Sequence, residues 1–154
     1  IILNMLTEVR LNFLARILLI KRGVAPRELS MKILIVDDVK EYVDSLARAL
    51  SSDFEIVKAN SLEEAKAKMD ETIDLVLADV RLSEEDFSNR DGILLLGWVK
   101  EKFPQVPVIM VSAYRDFDSA VDALNLGAAY YLKKPINLRE LRELVNTTLE
   151  GKQK

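Results

Sequence analysis

The sequence predicts an α/β protein: an open parallel sheet of five strands, covered by helices on both faces. Two observations carry the prediction. From Lys32 onward, five short apolar runs alternate with five segments whose apolar residues recur at helical spacing. Cap and turn residues fall between the two kinds of segment. Parallel neighbours need a crossover, usually a helix, so strict alternation leads to a sheet with both faces covered.

Taken in order, the first strand is "KILIV" (32–36), followed by a helix marked by Val39, Val43, Leu46, Ala47 and Leu50. "FEIVKA" (54–59) is the second strand. Ser61 then precedes "LEEAKAKM" with Glu64 three residues on, a capping box that opens a helix carrying Leu62, Ala65 and Met69. "DLVLAD" (74–79) is the third strand, and Leu95, Leu96, Val99 and Phe103 mark the third helix. "VPVIMV" (106–111) leads to a helix with Val121 and Leu124, which Asp116 or Asp118 can cap and Gly127 closes in the left-handed conformation. "AYYL" (129–132) is the last strand, and Leu138, Leu141, Leu144, Val145 and Leu149 the last helix. Pro104, Pro107 and Pro135 all sit at element boundaries, and no repeat or low-complexity tract interrupts the order.

Composition narrows the chemistry. A chain of 154 residues, 49% hydrophobic and 31% charged, suits about one domain. Net charge is −3 and the pI about 5.2, and no window of Lys and Arg is dense enough to track a phosphate backbone, so direct nucleic-acid binding is not expected. The chain has neither Cys nor His. Disulfides, thiolate nucleophiles, Ser-His-Asp triads and His-ligated metals are thereby excluded, leaving carboxylates, hydroxyls, Lys and hard cations. The most apolar early run, "LARILLIK", is broken by Arg16 and ends at Lys21, far short of the roughly 18 residues a membrane span needs. A cytoplasmic protein is the expectation.

In open parallel sheets, ligands bind at the carboxyl ends of the strands. Here the first strand ends in Asp37 and Asp38, the third in Asp79 and the fourth in Ser112; the fifth is followed by Lys133, Lys134 and Pro135. Like charges that close raise one another's pKa unless a cation neutralises them. A divalent ion such as Mg2+, which takes oxygen ligands and sits beside one or two carboxylates and a phosphate, fits the need. Each residue also has a plainer reading: an Asp after a strand as a helix cap, Ser112 as a turn residue, the Lys pair as a solvated rim. Their joint occurrence along one sheet edge favours a site, because independent caps need not fall together.

The blocks "ILIVDD", "DLVLADVRL", "DGILLLGWVKEKFPQVPVIMVSAY" and "AAYYLKKP" resemble, in order, the signature of the receiver domains of two-component response regulators, across Met31 to about Glu150. "ADVRL", "VSAY" and "DSAVDALNLGA" are most similar to receivers of the nitrogen-regulatory activator type. The resemblance implies a flavodoxin-like three-layer sandwich with strand order 2-1-3-4-5. It also implies a phosphorylation-dependent switch, not an enzyme acting on other substrates. Asp79 corresponds to the phosphoacceptor. Asp37 and Asp38 correspond to the acidic pair that holds Mg2+, Asp38 more directly, with Asp79 and the backbone carbonyl of Arg81 completing the protein ligands. Ser112 matches the switch hydroxyl, Lys134 the family's lysine and Tyr131 the aromatic that turns inward on activation; Lys133 is only a neighbour. The implied partners are a sensor histidine kinase or histidine phosphotransferase and a downstream effector domain or protein. Phosphorylation is expected to change the fourth helix and fifth strand.

The chemistry supports these roles independently. A carboxylate can attack a phosphoryl group if a metal and a lysine absorb charge on the equatorial oxygens, while a partner supplies the histidine this chain lacks. One departure concerns the stretch after Asp79. The family runs through a Pro to Asp-Gly in about eight residues, whereas "DVRLSEEDFSNRDG" has Ser83 at the Pro position and is about five residues longer, an acidic enlargement beside the site. The rival enzyme reading is a Mg2+-dependent phosphohydrolase with an aspartyl nucleophile. It requires a D-x-D pattern after the first strand, which "DDVKE" lacks. An inert receiver-like scaffold is the third reading, disfavoured because every site position is filled.

The family resemblance does not cover residues 1–30, read as a helical extension and linker; 31–150 is the receiver and 151–154 a tail with no effector domain. Ile2, Leu6, Val9, Phe13, Ile17 and Ile20 form a stripe at helical spacing, widened by Leu3, Leu14 and Leu18, and Pro26 breaks the chain before the first strand. The stripe is expected to pack on a partner: a second copy, giving a homodimer, or a neighbouring domain. The plainer alternative is upstream sequence ahead of a natural start at Met31.

Overall fold

The computed structural model of the chain describes residues 30–113 and 117–151, with the isolated positions Leu18 and Arg22. The chain divides into two compact units, Ile1–Ser30 with Gln153–Lys154, and Met31–Lys152. The helix expected before Pro26 lies outside the described residues, apart from the Arg22 N–H that donates to the Leu18 carbonyl at 3.1 Å. The cap expected of Asp116 also lies outside them.

In the second unit, β1 (Lys32–Val36), β2 (Glu55–Ala59), β3 (Leu75–Asp79), β4 (Val108–Ser112) and β5 (Tyr130–Lys133) alternate with α1 (Lys40–Leu50), α2 (Leu62–Lys68), α3 (Asp91–Lys102), α4 (Phe117–Asn125) and α5 (Leu138–Gly151). The strands form one sheet in the order β2-β1-β3-β4-β5, with every pairing parallel. This is the flavodoxin-like arrangement expected from the sequence. β1 and β3 are central, so their carboxyl ends, bearing Asp37 and Asp79, are neighbours through the pairing of Val36 with Ala78.

Strand side chains alternate between faces, and the core divides accordingly. Leu34, Val36, Val76, Ala78, Val108 and Met110 join one apolar cluster with Leu62 and Ala65 of α2 and with Leu95, Leu96 and Val99 of α3. The intervening residues Ile33, Ile35, Leu75, Leu77 and Ile109 are equally buried, and α1 and α5 bury Val43, Leu46, Leu50, Leu141, Val145 and Leu149. Arg142 of α5 ties these two helices together by donating to the Ala49 carbonyl and pairing with Asp53. Each fully buried aliphatic side chain contributes about 1.5–3 kcal/mol. The sheet is thereby a rigid platform for its upper edge.

Local chemistry sets the boundaries. Ser61 Oγ accepts from the Glu64 N–H at 3.1 Å, while the Glu64 carboxylate accepts from the Asn60 N–H at 2.8 Å, one residue beyond the usual return bond of a capping box. The fourth strand begins at Val108, where Pro107 still accepts from the Val76 N–H but has no N–H of its own. Asp118 lies inside the first turn of α4, where an acid suits the helix dipole. After α4, Gly127 adopts φ 94°, and the Ala128 N–H returns to the Ala123 carbonyl at 2.9 Å.

Candidate phosphorylation site

The upper edge of the sheet gathers the expected residues from β1, β3, β4 and β5. Carboxylate oxygens of Asp37, Asp38 and Asp79 lie within 4.8 Å of one another. The Lys134 ammonium donates to Asp37 Oδ2 at 2.6 Å and Asp79 Oδ2 at 2.7 Å, in a setting where the Asp37 side chain is only 3% exposed. Lys133, the last residue of β5, is exposed and pairs in register with Ser112. Alternation along the strand is the reason: consecutive lysines leave a sheet edge in different directions, and only one reaches the acids.

Asp37 is locked from several directions. Its Oδ1 accepts from the Val39 N–H at 2.9 Å, its backbone N–H donates to the Ala59 carbonyl, and its carbonyl accepts from Asn60 Nδ2 at 2.8 Å. Asp79 Oδ1 accepts from the Arg81 N–H at 3.3 Å. Ser112 is buried at the end of β4, and its carbonyl accepts from the Lys134 N–H at 2.8 Å, which fixes where Lys134 starts. Tyr131 is half-buried against the main apolar cluster, and its hydroxyl finds no partner among the described residues.

Burial raises the Asp37 carboxyl above its ordinary range, although the bonds from Lys134 and Val39 oppose the rise. Asp38 is raised too, first by burial and then by the Asp37 charge, against its own backbone N–H and that of Glu84. For Lys134, burial alone would lower the pKa, but its bonds to Asp37 and Asp79 prevail and hold it above the ordinary value. Three carboxylates and one ammonium leave two negative charges uncompensated at the cluster. An oxygen-only donor set with that residual charge suits a hard divalent cation such as Mg2+.

Three contributors were not anticipated as site residues. Gly92 opens α3 so close to β3 that a Cβ on it would fall 1.8 Å from the Asp79 carbonyl oxygen; the Asp-Gly after the long loop was its sequence signal. Tyr42, on the first turn of α1, places its ring 4.0 Å from the Lys134 ammonium, a contact that only tertiary structure reveals. Glu84, within the enlarged loop, brings its backbone N–H near enough to Asp38 to oppose the rise of that carboxyl's pKa.

That loop is internally ordered. Asp86 Oδ1 accepts from the Ser88 N–H and hydroxyl, and Asn89 Oδ1 accepts from the N–H groups of Leu82 and Asp91. Ser83, at the position of the family's Pro, accepts from the Asp86 N–H at 3.3 Å. Arg81 stacks on Phe87 at 5.0 Å, and Arg90 bridges to Ser119 and Asp122 of α4.

Comparisons with known proteins agree with this geometry. Residues 33–146 match the response regulator receiver domain. The response regulator protein PilR of Pseudomonas aeruginosa is 37% identical over 120 residues, 77% of this chain and 26% of that protein. The DNA-binding transcriptional regulator NtrC of Proteus hauseri is 32% identical over 117 residues, 75% of this chain and 24% of that protein. The chain thus spans about a quarter of the length of these curated relatives. A crystal structure of a receiver domain protein from Methanospirillum hungatei superposes with a TM-score of 0.74 at 31% identity, covering 80% of this chain and 97% of the other. With the sheet order, the acid cluster and the lysine all in place, the chain belongs to the response regulator receiver domain family.

Proposed function

We propose that the chain is a phosphorylation-dependent switch in which Asp79 takes a phosphoryl group from a phosphohistidine of a sensor kinase or histidine phosphotransferase. The observation that carries this reading is the Lys134 ammonium 2.7 Å from Asp79 Oδ2, beside two further carboxylates. A carboxylate oxygen of Asp79 attacks phosphorus as the P–N bond of the donor breaks, and the imidazole leaves with the bonding pair. Lys134 moves its donors from carboxylate to phosphoryl oxygens as charge builds on them. Mg2+, held by Asp37, Asp38, Asp79 and the Arg81 carbonyl, supplies positive charge for the same oxygens when bound. Ser112 donates its hydroxyl to the attached phosphoryl group, and Tyr131 follows inward, altering α4 and β5 for a downstream effector domain or protein to read. The setting is cytoplasmic, where kinase and donor are found; among the described residues no helix is long and apolar enough to cross a membrane.

Acetyl phosphate with Mg2+ tests the assignment. Intact mass is expected to rise by one phosphoryl group in the wild-type chain, and not in Asp79→Ala or after chelation. Equal labelling of wild type and Asp79→Ala would refute Asp79 as acceptor, and labelling of neither would leave an interaction scaffold.

A further inference from the structure

Tyr42 lies four residues beyond Asp38, and its ring centroid is 4.0 Å from Lys134 Nζ. The same ammonium donates to Asp37 and Asp79 at 2.6 and 2.7 Å. An ammonium has three N–H donors. Two go to carboxylates, and the electron-rich ring face supplies the remaining favourable contact. The Tyr42 hydroxyl, by contrast, is buried without a partner among the described residues, so it is the ring and not the phenol that this contact uses.

We propose that Tyr42 is a positioning residue for phosphoryl transfer, its ring holding the Lys134 ammonium beside Asp79 while the lysine exchanges carboxylate for phosphoryl oxygens. The inference rests on Asp79 being the acceptor. During transfer Lys134 must loosen its hold on the acids, and a lysine has a four-carbon stem with many rotamers to explore. A third carboxylate would keep the ammonium but compete with the incoming phosphoryl group for its charge. An aromatic face attracts the cation while carrying no net charge, so it limits the wandering without that competition. Only the ring needs to be conserved for this role, which separates it from ordinary core packing.

The test uses the full chain as wild type, Tyr42→Leu and Tyr42→Phe, each with Lys134 intact or changed to Ala. With Lys134 present, Tyr42→Leu is expected to slow Asp79 phosphorylation by acetyl phosphate, at saturating Mg2+, about 3- to 30-fold. Tyr42→Phe recovers most of that loss. In the Lys134→Ala background, Tyr42→Leu brings no further slowing. NMR supplies a readout independent of transfer: the Lys134 ε-methylene protons shift upfield under the ring in wild type and Tyr42→Phe, and lose that shift in Tyr42→Leu. Equal slowing by Leu and Phe, equal slowing with and without Lys134, or no upfield shift in the wild type would each overturn the proposal, the last even if Tyr42→Leu fails to fold. Absence of labelling in the wild-type chain would overturn the acceptor assignment and this role together, and it is distinguished by appearing before any change at Tyr42.

Discussion

Asp37 and Asp38 stand side by side at the end of a buried strand, where Lys134 and backbone N–H groups compensate part of their charge. Both carboxyls are raised, chiefly by burial. An acid with a raised folded pKa favours the protonated fold, so in the metal-free protein this stabilisation is present at low pH. It is lost as pH rises from the ordinary Asp value, about 3.9, through the raised values. Asp38→Asn removes the penalty and is expected to raise the metal-free Tm at neutral pH by about 2–4 °C. Saturating Mg2+ should abolish or reverse that advantage, because the ion favours the charged wild-type cluster. Thermal melts with Mg2+ or with chelator measure both effects, and an equal advantage under the two conditions contradicts metal binding at Asp38. Lys134 follows the same direction in a higher pH range: its folded pKa is raised, so its contribution is intact below the ordinary lysine value and lost as pH climbs through the raised one.

Between elements, α3 approaches β3 closely at Gly92, beside the site. Gly92 donates its N–H to the Val80 carbonyl at 2.9 Å, and a methyl group there meets backbone, which cannot swing aside. Gly92→Ala is expected to destabilise the domain by about 1–3 kcal/mol, the usual range for overpacking. Because the clash falls on the Asp79 carbonyl, it should also slow labelling of Asp79; urea melts and intact mass report the two effects separately. The proposed relay from β4 to β5 has its own test. Ser112→Ala or Lys134→Ala should leave Asp79 modifiable to some degree while blunting the change in amide exchange across residues 112–132 on adding beryllofluoride. A wild-type response in both variants removes the relay. The Arg90 bridge to Ser119 and Asp122 connects the enlarged loop to α4 as well, although an exposed pair of this kind contributes only about 0–1 kcal/mol.

At the scale of the molecule, Met31–Lys152 contains the whole sheet, both faces of its core and the acid cluster. A chain beginning at Met31 is therefore expected to fold and to take phosphate at Asp79 with Mg2+. The apolar stripe of Ile2, Leu6, Val9, Phe13, Ile17 and Ile20 belongs to the other unit, and its proposed role is self-association. Light scattering on the full chain and on the version starting at Met31 checks this: a dimer mass for the first and a monomer mass for the second are expected, while two monomer masses remove the idea.

Sequence alone determined the alternation of strands and helices, and from it the sheet, because burying both faces of a strand demands apolar runs and parallel pairing demands crossovers. It also marked Asp37, Asp38, Asp79, Ser112 and the Lys133–Lys134 pair as one edge, since strand ends fall in a predictable place once the sheet is parallel, and the family resemblance pointed to Lys134 within the pair. Element boundaries were less legible. The start of β4 depends on the missing N–H of Pro107, and Asp118 falls within the first turn of α4. Only tertiary structure chose Lys134 over Lys133 by geometry, set the Tyr42 ring against its ammonium and pressed Gly92 onto the Asp79 carbonyl. Those contacts join residues far apart in the chain, across 55 positions for Lys134 and Asp79, and no local periodicity encodes the direction in which a side chain leaves a sheet edge or the gap between two packed backbones.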